Sequence, residues 1–268
     1  MSESNGKKKW VHGNRETALS LRETVRVPCG PIVAPALGEG VPEGDVLLIA
    51  GAPGAGKTTL ALTISAYVGE ATYGEIAYLT TEAEMTCDEL VALTNRIQCL
   101  DSGLAFQEVE TTEEVSDAIS DLKPVLCVVD SLQGIDSDPL QALKRFRRLA
   151  KHYEIPIIVL GQVTKLGSTA GPNTLLHRAG ITAMVRFSDL GPDHRVFEVI
   201  KSRYGAAPRF ADFMHTESGL IAVDENVLKE EDLIVAAERD ENLRERSLTL
   251  FADRPPLQVD LTSSEGGE

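Results

Sequence analysis

The stretch GAPGAGKT at residues 51–58 constrains what this chain can fold into more than any other part of it. It fits the pattern G-x-x-x-x-G-K-[ST], in which a glycine-rich loop joins a buried strand to a helix and binds phosphate groups. The apolar residues 46–50 before it predict the strand, and residues 58–68 after it predict the helix. Glycines let backbone N–H groups surround phosphate oxygens, and the helix N-terminus favours the anion. The stretch therefore predicts a P-loop.

Two side chains of this loop have the chemistry that a nucleoside triphosphate requires. Lys57 should contact the β- and γ-phosphates as a point charge, and the Thr58 hydroxyl should be a ligand of Mg²⁺. The alternative is a glycine-rich turn that matches by chance, and the flanking strand and helix argue against it. The predicted phosphate-binding residues are Gly51, Ala52, Pro53, Gly54, Ala55, Gly56, Lys57, Thr58 and Thr59.

Apolar strands and helices alternate after the loop. Strands are predicted at residues 76–80, 104–109, 125–129 and 157–160, and helices at 88–98, 113–122 and 139–153, with Thr111 and Thr112 as candidate caps of the second helix. Shorter β segments are predicted at 181–187, 196–200, 210–215 and 220–223. This order predicts an α/β fold with a mainly parallel sheet, helices on both faces and a β-rich C-terminal part. Ligands of such a sheet bind at the C-terminal ends of its strands.

Polar residues stand at three of these strand ends. Asp130 closes an apolar strand, where a carboxylate can support the Mg²⁺ of a bound nucleotide; alternatively, it caps the following turn. Glu82 is the candidate that orients the attacking water, and the alternative is a solvated strand end; Glu84 is a weaker candidate. Gln162 follows the next strand, where its amide could contact the γ-phosphate or simply close a loop.

Cations in two other places are candidates for contacts with anions. Lys201 and Arg203 follow the predicted strand 196–200 at positions i and i+2, where they could bind a phosphate in the same chain or in a neighbouring subunit. The alternative is a solvated strand end. The predicted helix 139–153 has a basic face that could contact nucleic acid or simply face solvent: Lys144, Arg145, Arg147, Arg148 and Lys151. His177 and Arg178, beside a glycine-rich loop, are equally ambiguous.

Charge and composition limit the class of protein. The net charge of −15 does not favour nucleic-acid binding, although binding depends on the local field. No apolar run is long enough to span a bilayer, and residues 1–10 lack the apolar core of a signal peptide, so we expect a cytoplasmic protein without a membrane partner. The four cysteines contain no C-x-x-C pair, which predicts reduced thiols without a zinc or disulfide framework.

The composition predicts three segments. Residues 1–37 form a polar N-terminal arm and a proline-rich lead-in loop, partly disordered. Residues 38–223 form the α/β core. Residues 224–268 form an acidic tail with 13 acidic and 5 basic side chains, which could bind a protein partner.

Several stretches together resemble the RecA-like ATPases, and most closely the ATPase core of the bacterial RadA/Sms proteins, which are similar to the DnaB-type helicases. The matching stretches are GAPGAGKTT (51–59), YLTTEAE (78–84), VVDSLQ (128–133), GQVTKLGSTAGP (161–172), KSRYG (201–205) and ESGLIAV (217–223). Their order covers residues 38–223.

The resemblance implies ATP and Mg²⁺ as ligands and a role for each matching residue. Lys57 and Thr58 would bind phosphate and the metal, Glu82 would activate water, and Asp130 would support the metal. Lys201 and Arg203 would contact the nucleotide of the adjacent subunit in a homo-oligomeric ring, usually a hexamer. The loops at 163–178 would face single-stranded DNA in the channel of that ring.

The chain departs from the family pattern in several places. Residues 1–268 contain neither the N-terminal four-cysteine motif nor the C-terminal Lon-like domain of RadA. The family motif K-N-R-F-G is K-S-R-Y-G here, with both cations kept. After the Ala-Gly-Pro string, two acidic positions of the family are absent from residues 175–180. These departures affect the DNA loop more than the ATPase residues.

Three functional hypotheses follow. The first is an oligomeric, DNA-dependent ATPase that moves or remodels DNA in recombination or repair, which the strings at 161–172 and 201–205 favour. The second is a RecA-fold ATPase that acts as a regulatory switch on protein partners without DNA, which the acidic charge favours. The third is a module that holds nucleotide with little turnover, and the presence of Glu82, Asp130, Lys201 and Arg203 argues against it.

Overall fold

The computed structural model of the protein describes residues 25–38, 40–81, 85–99, 102–162 and 178–223. In these ranges the helices are α1 (Ala34–Leu37), α2 (Lys57–Thr72), α3 (Cys87–Arg96), α4 (Thr112–Leu122) and α5 (Pro139–Tyr153), with a 3-10 turn at Leu132–Gly134. The strands are β1 (Arg26–Val27), β2 (Val41–Pro42), β3 (Val46–Gly51), β4 (Ile76–Thr80), β5 (Leu104–Glu108), β6 (Leu126–Asp130), β7 (Ile157–Gln162), β8 (Ile181–Phe187), β9 (His194–Ser202), β10 (Arg209–Thr216) and β11 (Gly219–Ala222).

The main sheet has nine strands within the described residues, in the order β11-β10-β9-β8-β3-β7-β6-β4-β5. From β8 to β5 all neighbouring strands are parallel, and from β8 to β11 they are antiparallel. The predicted α/β class, with a mainly parallel sheet and a β-rich C-terminal part, is confirmed. Strand β3 lies between β7 and β8, so the residues after Gly51 emerge near the middle of the sheet.

Each face of the sheet packs against its own helices. On one face, Leu60 and Ile64 of α2 pack with Ile49 of β3, and on the other, Phe146 of α5 packs with Leu48. Every residue of β3 is buried. A strand that is apolar on both faces gains about 1.5–3 kcal/mol for each fully buried large side chain, which explains why the apolar runs predicted the sheet correctly.

Local signals fix the helix starts. Thr111, and not Thr112, caps α4: its hydroxyl accepts a hydrogen bond from the Glu114 N–H at 3.2 Å, and the Glu114 carboxylate accepts one from the Thr111 N–H. Thr86 caps α3 with the same reciprocal pair. Asp138 caps α5 through the N–H groups of its first turn, ahead of Pro139. These caps satisfy donors that have no partner within the helix.

Part of the expected lead-in arm is packed structure. Strands β1 and β2 form a small antiparallel pair, and α1 lies between them in the sequence. The side chains of Val27, Val33 and Leu37 are buried in the same cluster as Phe197 and Phe213 of the main sheet. The core therefore includes residues before 38. Residues 1–24 and 224–268 lie outside the described residues, so the arm and tail assigned to them stay predictions.

Among the helices of the described residues, none combines the length and the apolar character that crossing a bilayer would require.

Candidate nucleotide-binding site

The P-loop leaves the C-terminal end of β3 and enters α2. Gly51 and Gly56 are required there for different reasons. A Cβ at Gly51 would lie 2.7 Å from the Val185 carbonyl oxygen of β8, so no side chain fits. Gly56 has a φ of 89°, in the left-handed region, and a Cβ there would also lie 3.0 Å from Cδ2 of His215. Both positions therefore favour glycine for steric and conformational reasons.

Between these glycines the loop is open on one side and anchored on the other. Ala52, Pro53 and Gly54 are exposed, whereas the Ala55 side chain is buried in the core with α2. The Ala55 N–H donates to the Ala52 carbonyl at 3.2 Å, which closes the turn. Helix α2 begins at Lys57, so its first N–H groups point toward the loop. This shape suits a bound anion.

Thr58 and Asp130, the two predicted Mg²⁺ residues, lie together. The Thr58 hydroxyl donates to Oδ2 of Asp130 at 2.8 Å, although 72 positions separate the two residues. Asp130 is the last residue of β6 and is 8% exposed. Lys57 directly precedes Thr58 in the sequence, and its Nζ donates to the Ala52 carbonyl at 3.0 Å. A cation, a hydroxyl and a carboxylate thus stand at one end of the sheet.

The C-terminal ends of the neighbouring strands lie beside these residues. The Thr81 N–H donates to the Asp130 carbonyl at 2.7 Å, and the Ser131 N–H donates to the Thr81 hydroxyl at 2.7 Å. Gln162, the last residue of β7, is the register partner of Gly51. The backbone of Gln162 therefore lies directly beside the start of the P-loop.

The residues present fit a nucleotide with Mg²⁺. The exposed backbone of residues 52–54 and the left-handed Gly56 leave room for phosphate oxygens. Hydroxyl and carboxylate oxygens at hydrogen-bond distance match the hard oxygen ligands that Mg²⁺ prefers. Thr59, the last predicted phosphate-binding residue, is buried in α2 at 7% exposure, which limits it to a backbone contact.

Lys201 and Arg203 lie toward the opposite end of the sheet. The Arg203 N–H donates to the Gly180 carbonyl, and the Gly180 N–H donates to the Val46 carbonyl, so Arg203 is level with the first residue of β3. Gly51 ends the same strand, five residues and roughly 17 Å farther along. The structure therefore does not bring these two cations to the P-loop of their own chain.

The surroundings of Lys201 alter its acidity. It lies in β9 and donates through Nζ to the Ala179 carbonyl. Burial lowers the pKa of Lys201, and the nearby charge of Arg203 lowers that pKa further, whereas Asp45 raises it. Arg203 lies in the bend after β9, so the two cations are close in space but are not both part of the extended strand.

Some cations on the basic face of α5 form ion pairs within the protein. Arg147 donates to the buried Asp45 carboxylate through Nε at 2.9 Å and Nη2 at 3.2 Å. Arg145 pairs with Glu113 of α4. Arg148 and Lys151 are exposed. The predicted patch is therefore smaller than the sequence indicates, because at least two of its cations have acidic partners.

Two residues near the site were missed by sequence reasoning. Tyr78 of β4 is fully buried, and its hydroxyl donates to Oδ2 of Asp130 at 2.9 Å. A tyrosine in an otherwise apolar strand was the available signal, because a buried hydroxyl requires a partner. His215 of β10 lies against Gly56. Burial lowers the pKa of His215, and the charges of Arg195 and Arg96 lower it further. Nothing in the sequence around His215 indicated this contact.

Other predicted residues fall outside the described residues. These are Glu82, Glu84, His177 and the loop residues 163–176. Their roles stay predictions. The neighbouring Thr81 and Gln162 are described, and both lie at the end of the sheet where the P-loop begins.

Fold and site together define a RecA-like P-loop domain. Comparison with known proteins supports this class: residues 35–163 match the family model described as the DnaB-like helicase C terminal domain. The flagellar accessory protein FlaH from Methanocaldococcus jannaschii has a similar fold, with a TM-score of 0.62 over 75% of this chain and all of that chain, at 15% identity. The RadB recombinase has a TM-score of 0.56 over 74% of this chain and all of that chain, at 23% identity.

Within that class the chain resembles the RadA proteins. It is 32% identical over 202 residues to the DNA repair protein RadA of Aquifex aeolicus (strain VF5), which covers 71% of this chain and 44% of the relative. It is 31% identical over 198 residues to the DNA repair protein RadA of Bacillus subtilis (strain 168), with 70% and 42% covered. The chain thus spans less than half the length of the curated relatives that it matches.

Proposed function

We propose that this protein hydrolyses ATP in the presence of Mg²⁺ and uses the turnover to remodel DNA in recombination or repair. The observation that carries the ATPase part is the hydrogen bond of 2.8 Å between the Thr58 hydroxyl and the Asp130 carboxylate at the mouth of the P-loop. It brings together the two oxygen groups that a P-loop ATPase uses for its metal. The similarity to two RadA proteins described as DNA repair proteins supports the recombination or repair part.

Each site residue then has a defined role. Backbone N–H groups of Gly54, Gly56 and Lys57 bind the phosphates, and the Lys57 ammonium exchanges the Ala52 carbonyl for phosphate oxygens. Thr58 and Asp130 hold Mg²⁺, which neutralises charge on the phosphates when it is bound. Glu82 orients the water that attacks the γ-phosphate, and Gln162 responds to loss of that phosphate. The bond between the γ-phosphorus and its bridging oxygen breaks, and ADP leaves with phosphate as the second product.

Lys201 and Arg203 complete the site of a neighbouring subunit. Arg203 lies roughly 17 Å from Gly51 along the direction of β3, which argues against a contact within one chain. A homo-oligomer, with a ring of six as the expected form, would place these cations at the interface. There they would stabilise charge on the transferred phosphoryl group, as an arginine finger does.

The first experiment measures ATP turnover with Mg²⁺, and then with excess EDTA. Turnover should require Mg²⁺, and Lys57→Ala should abolish it because the point charge on the β- and γ-phosphates is lost. Thr63→Ala, a change on the next turn of α2, is the matched control and should keep the activity. Turnover that survives both Lys57→Ala and EDTA would contradict the ATPase proposal.

The second experiment tests whether DNA stimulates ATP turnover. Single-stranded DNA should raise turnover at low salt, and the stimulation should weaken at high salt because phosphate contacts release counterions. A stimulation that is absent at both salt concentrations would contradict the DNA part of the proposal while leaving the ATPase part intact.

A regulatory ATPase that acts on protein partners is the second candidate function. The net charge of −15 favours it, as does the use of Arg145 and Arg147 in internal ion pairs. The acidic residues 224–268 would then be the partner-binding segment. Turnover that ignores DNA at every salt concentration but changes on removal of residues 224–268 would support this candidate.

A further inference from the structure

A buried carboxylate, Asp45, stands at the start of β3 and binds the segment that carries Lys201 and Arg203. It is 1% exposed. Its Oδ2 accepts from the Tyr204 hydroxyl at 2.6 Å and from Nη2 of Arg147 at 3.2 Å, while Oδ1 accepts from Nε of Arg147 at 2.9 Å and from the Val46 N–H at 2.8 Å. A carboxylate with this many charged and neutral donors holds them in fixed positions.

The backbone around this carboxylate is closely packed. A Cβ at Gly180 would lie 2.4 Å from Oδ2 of Asp45, so a larger residue at this position would collide with the carboxylate. The Gly180 carbonyl accepts from the Arg203 N–H at 3.0 Å, and the preceding carbonyl, of Ala179, accepts from Lys201. Both cations are therefore tied, through one short segment, to the residue that precedes β3.

Arg26 holds the same tyrosine from another direction. Its Nη2 donates to the Tyr204 carbonyl at 3.1 Å, and its guanidinium lies 5.6 Å from the centre of the Tyr204 ring. Tyr204 is thus fixed at its hydroxyl by Asp45 and at its backbone and ring by Arg26. Arg203 immediately precedes this fixed residue, in the same bend.

The charges explain why an acid is needed here. The positive charges of Arg203 and Arg147 act on Lys201, and the negative charge of Asp45 offsets part of their effect. Burial, and then the hydrogen bond to Asp45, raise the pKa of Tyr204 to about 12. The hydroxyl therefore remains protonated, and remains a donor, throughout the range in which the protein would work.

We propose that Asp45, acting through Tyr204, is a positioning residue that sets where Lys201 and Arg203 stand when they contact the nucleotide of the neighbouring subunit. This inference rests on the proposed shared site. Asp45 directly precedes β3, the strand that leads into the P-loop of the same chain. The cations that act on the nucleotide of a neighbouring subunit are therefore fixed to the start of the strand that bears their own P-loop.

The test replaces Tyr204 by Phe, which removes only the hydroxyl. Tyr204→Phe should lower kcat about tenfold and leave the KM for ATP unchanged, because a misplaced cation acts on the transition state. Tyr73→Phe is the matched control, since Tyr73 is 96% exposed, and it should match the wild type. Asp45→Asn, which keeps an acceptor for the Tyr204 hydroxyl, should retain more ATPase activity than Asp45→Ala.

A double-mutant cycle separates positioning from general stability. In a Lys201→Ala/Arg203→Ala background, single-turnover hydrolysis should change less than about twofold when Tyr204→Phe is added, because no cation remains to be placed. A tenfold loss in both backgrounds would show that Tyr204 only stabilises the fold, and would overturn the inference.

The same cycle distinguishes this inference from the proposal on which it rests. Wild-type turnover by the Lys201→Ala/Arg203→Ala protein would overturn the shared site itself. Lost turnover in that protein, together with full turnover in Tyr204→Phe, would keep the shared site and overturn only the positioning role.

Discussion

Asp130 accepts hydrogen bonds from two hydroxyl groups, those of Thr58 and Tyr78, on the same oxygen. Thr58 belongs to the P-loop helix and Tyr78 to the neighbouring strand, so the two contacts have different roles. Thr58 is a candidate metal ligand, whereas the buried Tyr78 holds the carboxylate from behind. Residues that orient a metal ligand in this way often matter almost as much as the ligand.

Tyr78→Phe should therefore weaken Mg²⁺ binding without removing a ligand. We expect the Mg²⁺ concentration for half-maximal turnover to rise about tenfold, and the free energy of unfolding to fall by about 1 kcal/mol. A Mg²⁺ titration of ATP turnover, with Tyr73→Phe as the control, measures the first effect. An unchanged Mg²⁺ requirement would show that Asp130 keeps its orientation without Tyr78.

Glu82→Gln should bind ATP as the wild type does and hydrolyse it slowly. The amide keeps the size of the side chain but cannot accept a proton from the attacking water. Thr81, the residue before it, is hydrogen-bonded to the backbone of Asp130 and Ser131. Nucleotide binding and single-turnover hydrolysis should be compared with Glu84→Gln. A larger loss in Glu84→Gln than in Glu82→Gln would exchange the two roles.

The lowered pKa of Lys201 predicts a pH effect on turnover. In the proposed shared site a cation is needed in the transition state, and deprotonation removes it as the pH rises through the lowered pKa of Lys201. Turnover should therefore decline at a pH below the ordinary lysine value of about 10.4. Lys201→Arg should keep its charge and move this decline to higher pH. A pH–rate profile that is the same in both proteins would assign the decline to another group.

Helix α5 shows that the bounds of an element can be predicted from the sequence while the partners of its side chains cannot. The sequence predicts its bounds at 139–153, as the structure has them, because Pro139 and the apolar spacing mark both ends. Its basic face was a candidate for contact with nucleic acid. Arg147 on that face is instead bound by Asp45, 102 positions away, at the start of β3.

The same distinction applies to the candidate site as a whole. Order and spacing located the P-loop, Asp130 and Gln162, because each lies at the end of an apolar strand that the sequence marks clearly. The Tyr78–Asp130 and Tyr204–Asp45 contacts join residues 52 and 159 positions apart. Such pairs depend on which strands are neighbours and on their register, and local patterns do not encode either of these.

Breaking the link between α5 and β3 should destabilise the protein. Arg147→Met leaves a buried carboxylate without its charged partner, which should cost about 3 kcal/mol of unfolding free energy. Arg148→Met is the matched control, because Arg148 is exposed on the same helix, and its cost should stay within about 0.5 kcal/mol. Urea unfolding measures both. Equal stability of the two variants would mean that the Tyr204 hydroxyl and the Val46 N–H suffice for Asp45.

For the whole molecule, the position of Lys201 and Arg203 is the main constraint on how subunits could assemble around a shared site. The P-loop and these cations occupy opposite ends of one sheet, so a single chain presents a nucleotide site at one end and the proposed finger residues toward the other. This polarity suits head-to-tail assembly, in which every interface joins unlike ends and the rotation closes a ring. Specific activity should accordingly rise with protein concentration as subunits assemble.

Mixing two inactive variants tests the shared site directly. Arg203→Ala should bind ATP nearly normally and lose most turnover, because the finger acts on the transition state. Lys57→Ala lacks a working P-loop but keeps its finger residues. In a mixture, some interfaces pair the intact P-loop of the first variant with the intact finger of the second, so activity should reappear at up to about a quarter of the wild-type level if subunits mix at random.

The control for this rescue is a double variant, Lys57→Ala/Arg203→Ala, mixed with either single variant. The double variant offers neither an intact P-loop nor an intact finger, so these mixtures should stay inactive. Size-exclusion chromatography of differently tagged variants would establish that the subunits exchange. If they exchange and the first mixture remains inactive, or if the wild type is fully active as a monomer at every concentration, the site is not shared. Arg203 would then be a structural cation at the end of β9.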